Sequence, residues 1–440
     1  MPGSIYDYVI IGGGIAGVTA AETIRGRDHE GSIALISKES HPLYSRVMLP
    51  SYVRGALNRE QVFLRDAADY ERKGVTLFFG HEVIGINFER REVHTNTGAV
   101  FTYRTLLIST GGVPARWRVE GGDHPLVYRL QTIEDADRLR EILQSLNAKP
   151  RLPSGQGSTP PAERAGLNAQ PEALVIGCGF IGLEFIESFI AYGVHPIIIM
   201  PEDYAFQRFM GPEGGRLLEE QWQRRGAEIM HHTAIEALRS SEDGPPAGEA
   251  GLVALTTEGQ GYHGVFAGVG IGLERSISIF TGIGLDIGNP PTGGGIVTNE
   301  FLETNQKGVF AAGDVTEYLD VIFQKHQLVG NWTHAYLQGS VAGENMARFL
   351  RGEQSSYRAF RKISSYSLTH LGMHLAFLGE CEKSARFAES RRAARVEEQF
   401  IPEKRAYQQL FFDGAQLVGA SLINHPKDIP ALLARMEKEV

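Results

Sequence analysis

The segment Tyr6-Asp7-Tyr8-Val9-Ile10-Ile11-Gly12-Gly13-Gly14-Ile15-Ala16-Gly17 reads as a short apolar strand, a glycine turn and the start of a helix. A run that is mostly apolar and stops on glycine has the pattern of a strand buried in a parallel sheet. Residues 15–26 continue as a helix of small side chains, and residues 32–37 form a second apolar strand. Strand, helix and strand make a βαβ unit. The turn has G-x-G-x-x-G spacing. Gly12 permits the tight turn, Gly14 lets a pyrophosphate approach the backbone, and Gly17 lets the helix pack on the strand. The helix begins at Ile15 and Ala16, whose end offers free N–H groups and the dipole to phosphates. Glu39 follows the second strand, where a carboxylate either accepts from ribose hydroxyls or is a solvated turn residue.

The same pattern returns one domain length later. Residues 173–176 form an apolar strand, followed by Gly177-Cys178-Gly179-Phe180-Ile181-Gly182 and then Glu184. Cys178 occupies the variable position and reads as a small packing residue. The acid expected after the next strand, 197–199, is missing. Met200 stands there, with Glu202 and Asp203 two and three residues later. A methionine neither accepts from ribose nor repels a 2′-phosphate, which predicts a weak hold on NADH and little discrimination against NADPH unless Glu202 or Asp203 reaches the ribose. Between the two turns, residues 81–104 alternate like a hairpin or meander, and strand 105–109 ends in Thr110-Gly111. Further on, Thr304-Asn305-Gln306-Lys307-Gly308-Val309-Phe310-Ala311-Ala312-Gly313-Asp314 reads as a polar turn, a short buried strand and an Asp at the strand's end. A carboxylate there can meet a sugar-alcohol chain at the carboxyl edge of a parallel sheet, although Ala-Gly-Asp alone is usually a turn.

The bulk composition agrees with such a chain. With 440 residues and 42% hydrophobic content it can bury several cores. Lys and Arg total 43 against 52 Asp and Glu, a net charge of −9, which argues against nucleic-acid or anionic-membrane partners. The two cysteines make no disulfide scaffold or zinc site, and no metal is expected. No apolar stretch reaches the length of a bilayer span, and the N-terminal residues lack the pattern of a secretory signal, so the expected location is cytoplasmic. Residues 148–171 read as a flexible surface insertion, with shorter polar breaks at 241–251 and 288–295. The tail from 351 combines strand-like segments 407–412 and 416–422 with a closing helix, 429–439.

Together, the two fingerprints, the Thr110-Gly111 strand end and the TxxxxVFAAGD run resemble the two-dinucleotide-binding flavoproteins of the pyridine nucleotide–disulfide reductase superfamily. The resemblance implies an α/β fold with two Rossmann-like, glutathione reductase-like domains and a small C-terminal α+β domain. Residues 1–113 and 296–350 would form a split FAD-binding domain, 114–295 an inserted NAD(P)-binding domain, and 351–440 the C-terminal domain. It further implies FAD as cofactor at the first fingerprint, with Asp314 on the ribityl chain, and NAD(P)H as co-substrate at the second. Glu184 would lie near the nicotinamide, or else merely complement the helix dipole.

Finer features narrow the branch. Tyr44-Ser45-Arg46-Val47-Met48-Leu49-Pro50 resembles a segment of nitrite reductase large subunits and of rubredoxin or ferredoxin reductases in which the Arg, here Arg46, lies by the FAD pyrophosphate. Trp332-x-x-Ala335-x-x-Gln338-Gly339 resembles their helix aimed at the flavin, and Trp332 is otherwise an ordinary core aromatic. Residues 416–420 look like the C-terminal strand of the same branch. Departures matter as well. Residues 41–55 hold no cysteine where disulfide reductases need one, and Ser51 stands where the ferredoxin reductases often have Lys. The expected activity is hydride transfer from NAD(P)H to FAD, then electron transfer to a redox protein such as rubredoxin or ferredoxin, or to a partner subunit. An NADH oxidase that reduces oxygen and a flavin-binding subunit without NAD(P)H turnover are the alternatives. Acceptor identity and oligomeric state stay open.

Overall fold

The computed structural model describes residues 4–146, 170–241, 251–288, 294–381 and 394–438. The insertion expected at 148–171 lies outside the described residues except for its last two, and most of the breaks at 241–251 and 288–295 does too. Among the described residues no helix is long and apolar enough to cross a membrane.

The first unit is a parallel sheet in the order Val75–Phe79, Ile33–Ser37, Ser4–Ile11, Val100–Ile108 and Val309–Ala311. The segment 81–104 is the expected meander: Val83–Asn87 and Glu92–Thr95 pair antiparallel and continue onto the long strand Val100–Ile108. Alternation along the central strand sorts its side chains to two cores. Tyr8 and Ile10 join one core with the helices Ile15–Arg27 and Trp332–Leu350, whereas Val9 and Ile11 join the other under the meander and Phe280. Tyr8, Val9 and Ile10 are fully buried, and each such side chain contributes about 1.5–3 kcal/mol of transfer free energy.

The second unit repeats the plan. Glu228–Met230, His195–Ile199, Glu172–Ile176, Ala267–Val269 and Val127–Tyr128 form a parallel sheet in that order. The helix Phe180–Tyr192 covers one face, and an antiparallel sheet of Ile235–Ser241, Gly251–Thr256 and Gly261–Gly264 covers the other. The chain leaves the first unit through Gly112–Pro114 and returns through Leu273–Arg275, and these two crossings pair antiparallel.

The tail forms an antiparallel sheet in the order Ser365–His370, Met373–Gly379, Gln416–Ile423, Ala406–Asp413 and Ala394–Ile401, with the helix Ile429–Lys438. Ala376, Leu378 and Leu422 face that helix, while Leu375, Phe377 and Tyr407 enter the core of the second unit. This α+β sheet is therefore shared between its own helix and its neighbour.

Two helices of the first unit approach backbone to backbone. A Cβ on Gly339 would stand 2.2 Å from the carbonyl oxygen of Ala16, and one on Gly343 2.6 Å from that of Ala20. The four-residue spacing puts both glycines on one face of Trp332–Leu350, against Ala16 and Ala20 on Ile15–Arg27. We expect Gly339→Val to force these backbones apart, at about 1–3 kcal/mol or more, and to lower the urea midpoint. Gly26→Ala is the control, because a Cβ there meets nothing within 4 Å. An unchanged midpoint in Gly339→Val would show that the contact is dispensable.

Candidate functional site

Both glycine turns are built the same way. Gly12 has φ +111°, and a Cβ on it would lie 2.2 Å from the Ser109 carbonyl oxygen. Gly17 is packed so tightly that its Cβ would come within 2.0 Å of the Gly12 carbonyl oxygen. In the second turn Gly177 has φ +88°, and a Cβ on Gly182 would fall 2.3 Å from the Gly177 carbonyl oxygen. The fold thus requires the first and third glycines. The middle ones differ: a Cβ on Gly14 or Gly179 would meet nothing within 4 Å. Those two positions cap the helices Ile15–Arg27 and Phe180–Tyr192 without any side-chain hydrogen bond, which leaves the first N–H groups free for an anion.

One cleft of about 2580 Å³ runs along both turns. A single small-molecule site is roughly 300–1000 Å³, so the space suits two dinucleotides. Ile15, Ala16, Thr110 and Gly111 line it at the first turn, and Phe180 and Ile181 at the second. Gly17 and Gly182 lie behind the turns, as packing positions should. The fit to bound nucleotides shows in polar groups awaiting a partner. Thr110 Oγ1 and a Glu202 carboxyl oxygen are buried in this cleft without a hydrogen bond, a state that costs about 1–3 kcal/mol per group until it is satisfied.

Charges are arranged around the first turn. Arg46 reaches back to Glu39 in an ion pair, and the Tyr44 hydroxyl donates to the same carboxylate. Arg46 also donates to the Gln131 carbonyl. Read from the sequence, Glu39 and Arg46 have separate duties, whereas the structure couples them. Gly313 has φ +84°, and its N–H donates 2.7 Å to Oε1 of the fully buried Gln338. That bond holds the strand end from which Asp314 enters the cleft. Burial raises the Asp314 carboxyl above the usual carboxylate range, against the pull of Arg275 and Arg46. Trp332 opens its helix directly after the Asn331 cap, lines the cleft, and packs partly on the first unit's core.

At the second turn, Glu184 lines the cleft one helical turn beyond Phe180. Burial, only partly offset by Arg54, pushes its carboxyl up to about 8. It is half-buried and lies beyond the first turn of the helix, the turn in which a dipole-complementing acid would stand. Met200 is fully buried core. Glu202 lines the cleft with an unpartnered oxygen, while Asp203 turns outward towards His232. Burial pushes the Cys178 thiol up to about 12, which keeps it protonated at neutral pH.

The sequence did not reveal what the tail sheet adds. Tyr366, Phe377 and Cys381 line the cleft, although the sequence marks the tail as a domain of its own. Tyr366 meets Phe180, and Phe377 meets Phe206 and Phe209, far apart in sequence, and no local pattern signals that.

Comparisons with known proteins agree with this geometry. The family model described as pyridine nucleotide-disulphide oxidoreductase matches residues 6–339. Nitrite reductase [NAD(P)H] of Bacillus subtilis is 24% identical over 443 residues, 98% of this chain and 47% of that protein. The ferredoxin–NAD(+) reductase component of the anthranilate 1,2-dioxygenase system of Burkholderia cepacia is 28% identical over 346 residues, 77% of this chain and 75% of that protein. The covalent putidaredoxin reductase–putidaredoxin complex superposes with a TM-score of 0.79 at 21% identity, covering 98% of this chain and 93% of that one. The chain spans about half the length of the first curated relatives it matches. Two phosphate turns of one design on a shared cleft, and a family model matching across both, place the chain in the pyridine nucleotide-disulphide oxidoreductase family, flavoprotein oxidoreductases that use FAD and NAD(P)H.

Proposed function

We propose that this protein oxidises NAD(P)H through FAD and passes the electrons to a separate redox protein or partner subunit, without a redox-active disulfide. The observation that carries the reading is the pair of identically built phosphate turns opening on one continuous cleft. When bound, FAD accepts a hydride and can release electrons singly. The chain's own residues bind, orient and exclude water. In this reading residues 1–113 and 296–350 hold FAD and residues 114–295 hold the nucleotide. The free N–H groups beyond Gly14 and Gly179 take the two pyrophosphates, Arg46 adds a positive charge, and Asp314 accepts from the ribityl hydroxyls. Trp332 flanks the flavin, and Glu184 faces the nicotinamide. Relatives named as ferredoxin reductases support a small iron–sulfur protein as acceptor. Residues 41–55 hold no cysteine, and Cys178 is held protonated in the nucleotide turn.

Anaerobic titration with NADH tests this directly. The purified protein should be yellow, release FAD on acid precipitation, and bleach with one equivalent of NADH. A Cys178→Ala/Cys381→Ala variant should bleach at a similar rate, and ferredoxin should reoxidise the flavin faster than air does. Absence of flavin, or a hundredfold slower bleaching without the cysteines, would refute the reading.

Nucleotide choice follows from Glu202. A carboxylate accepting from the adenosine ribose contributes about 1.5–3 kcal/mol, and it repels a 2′-phosphate. Wild type should therefore prefer NADH, contrary to the expectation from Met200 alone. Glu202→Ala should raise KM for NADH by about tenfold or more and erase the preference. Equal wild-type use of both nucleotides would defeat this assignment.

Glu184 supplies a pH signature. Its raised pKa leaves it neutral at pH 7 and ionised as pH passes through about 8. An ionised carboxylate attracts the cationic ring of NAD+, a pull of up to about 4 kcal/mol at 4 Å near a protein surface. Affinity for NAD+ should thus rise severalfold between pH 7 and 9 in wild type and stay flat in Glu184→Gln. Parallel profiles in the two proteins would remove Glu184 from the nicotinamide site.

A further inference from the structure

The C-terminal sheet does more than close one side of the cleft. Along the edge strand Ser365–His370, alternation gives Tyr366, Leu368 and His370 one face and Ser367 and Thr369 the other. Ser367 and Thr369 are exposed, whereas the first face is covered. What covers it is the helix Phe180–Tyr192, which presents Phe180, Glu184 and Glu187 at positions i, i+4 and i+7.

The two ends of this contact differ in chemistry. At the inner end, His370 is fully buried and its Nε2 accepts 2.8 Å from the Trp222 indole N–H. An indole nitrogen only donates, so the His370 proton sits on Nδ1. That atom faces a Glu187 carboxyl oxygen at 3.5 Å, and Arg54 of the first unit approaches the same oxygen at 3.5 Å. Three units of the chain thus approach one carboxylate, although His370 Nδ1 makes no hydrogen bond to it. At the cleft end, the Tyr366 ring stands edge-on to Phe180, centroids 5.0 Å apart and planes at 87°. Phe377, paired with Tyr366 across the strands, meets Phe180 at 5.1 Å and 87°. Tyr366, Phe180, Phe377 and Glu184 all line the cleft.

We propose that Tyr366 is a positioning residue for the nicotinamide, delivered to the nucleotide site by the C-terminal sheet and held in register by the hydrogen bond from Trp222 to His370. The proposal rests on the function proposed above. A nicotinamide presents a flat apolar ring and a carboxamide with both donor and acceptor. Phe180 and Phe377 match the ring, and the Tyr366 hydroxyl and Glu184 carboxyl match the carboxamide. Burial and the charge of Glu184 push the Tyr366 phenol up to about 12, so it remains a donor at neutral pH.

The test uses flavin-loaded protein and two unreactive probes, NAD+ and ADP-ribose, with affinities read by titration calorimetry. Tyr366→Phe keeps the ring and its packing and removes only the hydroxyl. We expect NAD+ to bind about tenfold more weakly, the loss of one good hydrogen bond, with ADP-ribose within twofold of wild type. Unchanged NAD+ affinity would overturn the proposal. Equal weakening of both probes would overturn it too, because it would mean that the helix had moved as a whole. If wild type bound neither probe and NADH failed to bleach its flavin, the proposed function itself would fall and Tyr366 with it. A wild type that binds both probes while Tyr366→Phe matches it would fault the tyrosine alone.

Discussion

The approach of Gly339 to the Ala16 carbonyl is the constraint on which the site depends. It brings the helix that starts at the first phosphate turn against the helix that starts at Trp332, with no side chain between them. Once these backbones touch, the start of one helix fixes the start of the other. Gln338 sits one residue before the contact and anchors the Gly313 N–H. The turn, the Asp314 strand end and Trp332 therefore share one rigid reference, although some 300 residues of chain separate them. A larger residue at 339 would act on all three features together.

Electrostatics set the second constraint. The chain already carries a net charge of −9, and two dinucleotides would add more negative charge to one cleft. Arg46 and Arg275 are the cations that act on Asp314. Arg46 is shared, since Glu39 and the Gln131 carbonyl also hold it. This sharing fixes the guanidinium before a ligand arrives, and so reduces the ordering cost of binding. Glu39 consequently orients Arg46 whether or not a ribose hydroxyl reaches it.

Legibility in the sequence followed the range of each interaction. The two glycine turns were plain because their causes are local: φ at Gly12 and Gly177, and the helix–strand contacts of Gly17 and Gly182, are set within six residues. The meander at 81–104 was visible from alternation for the same reason. The role of Glu202 was open in the sequence because it depends on where the loop after residues 197–199 turns, and Met200 fills the core there instead. The coupling of Glu39 to Arg46 was hidden because each residue already had a plausible partner. The tail was read correctly as α+β, yet its place beside the cleft depends on packing against a helix nearly two hundred positions earlier, and no spacing rule reaches that far.

The tail sheet also shows how register alone can carry function. A strand with one covered face tolerates no one-residue slip, because a slip exchanges every side chain between faces. Here a slip would replace Tyr366, Leu368 and His370 with Ser365, Ser367 and Thr369 against the nucleotide helix. Phe180 would lose the Tyr366 ring, and the buried Trp222 indole N–H would lose its acceptor. Unsatisfied groups of that kind cost about 1–3 kcal/mol each, well beyond what a small hydroxyl could return. The buried Trp222–His370 hydrogen bond thus excludes the wrong register by penalty, and the correct register is the one that brings Tyr366 to the cleft.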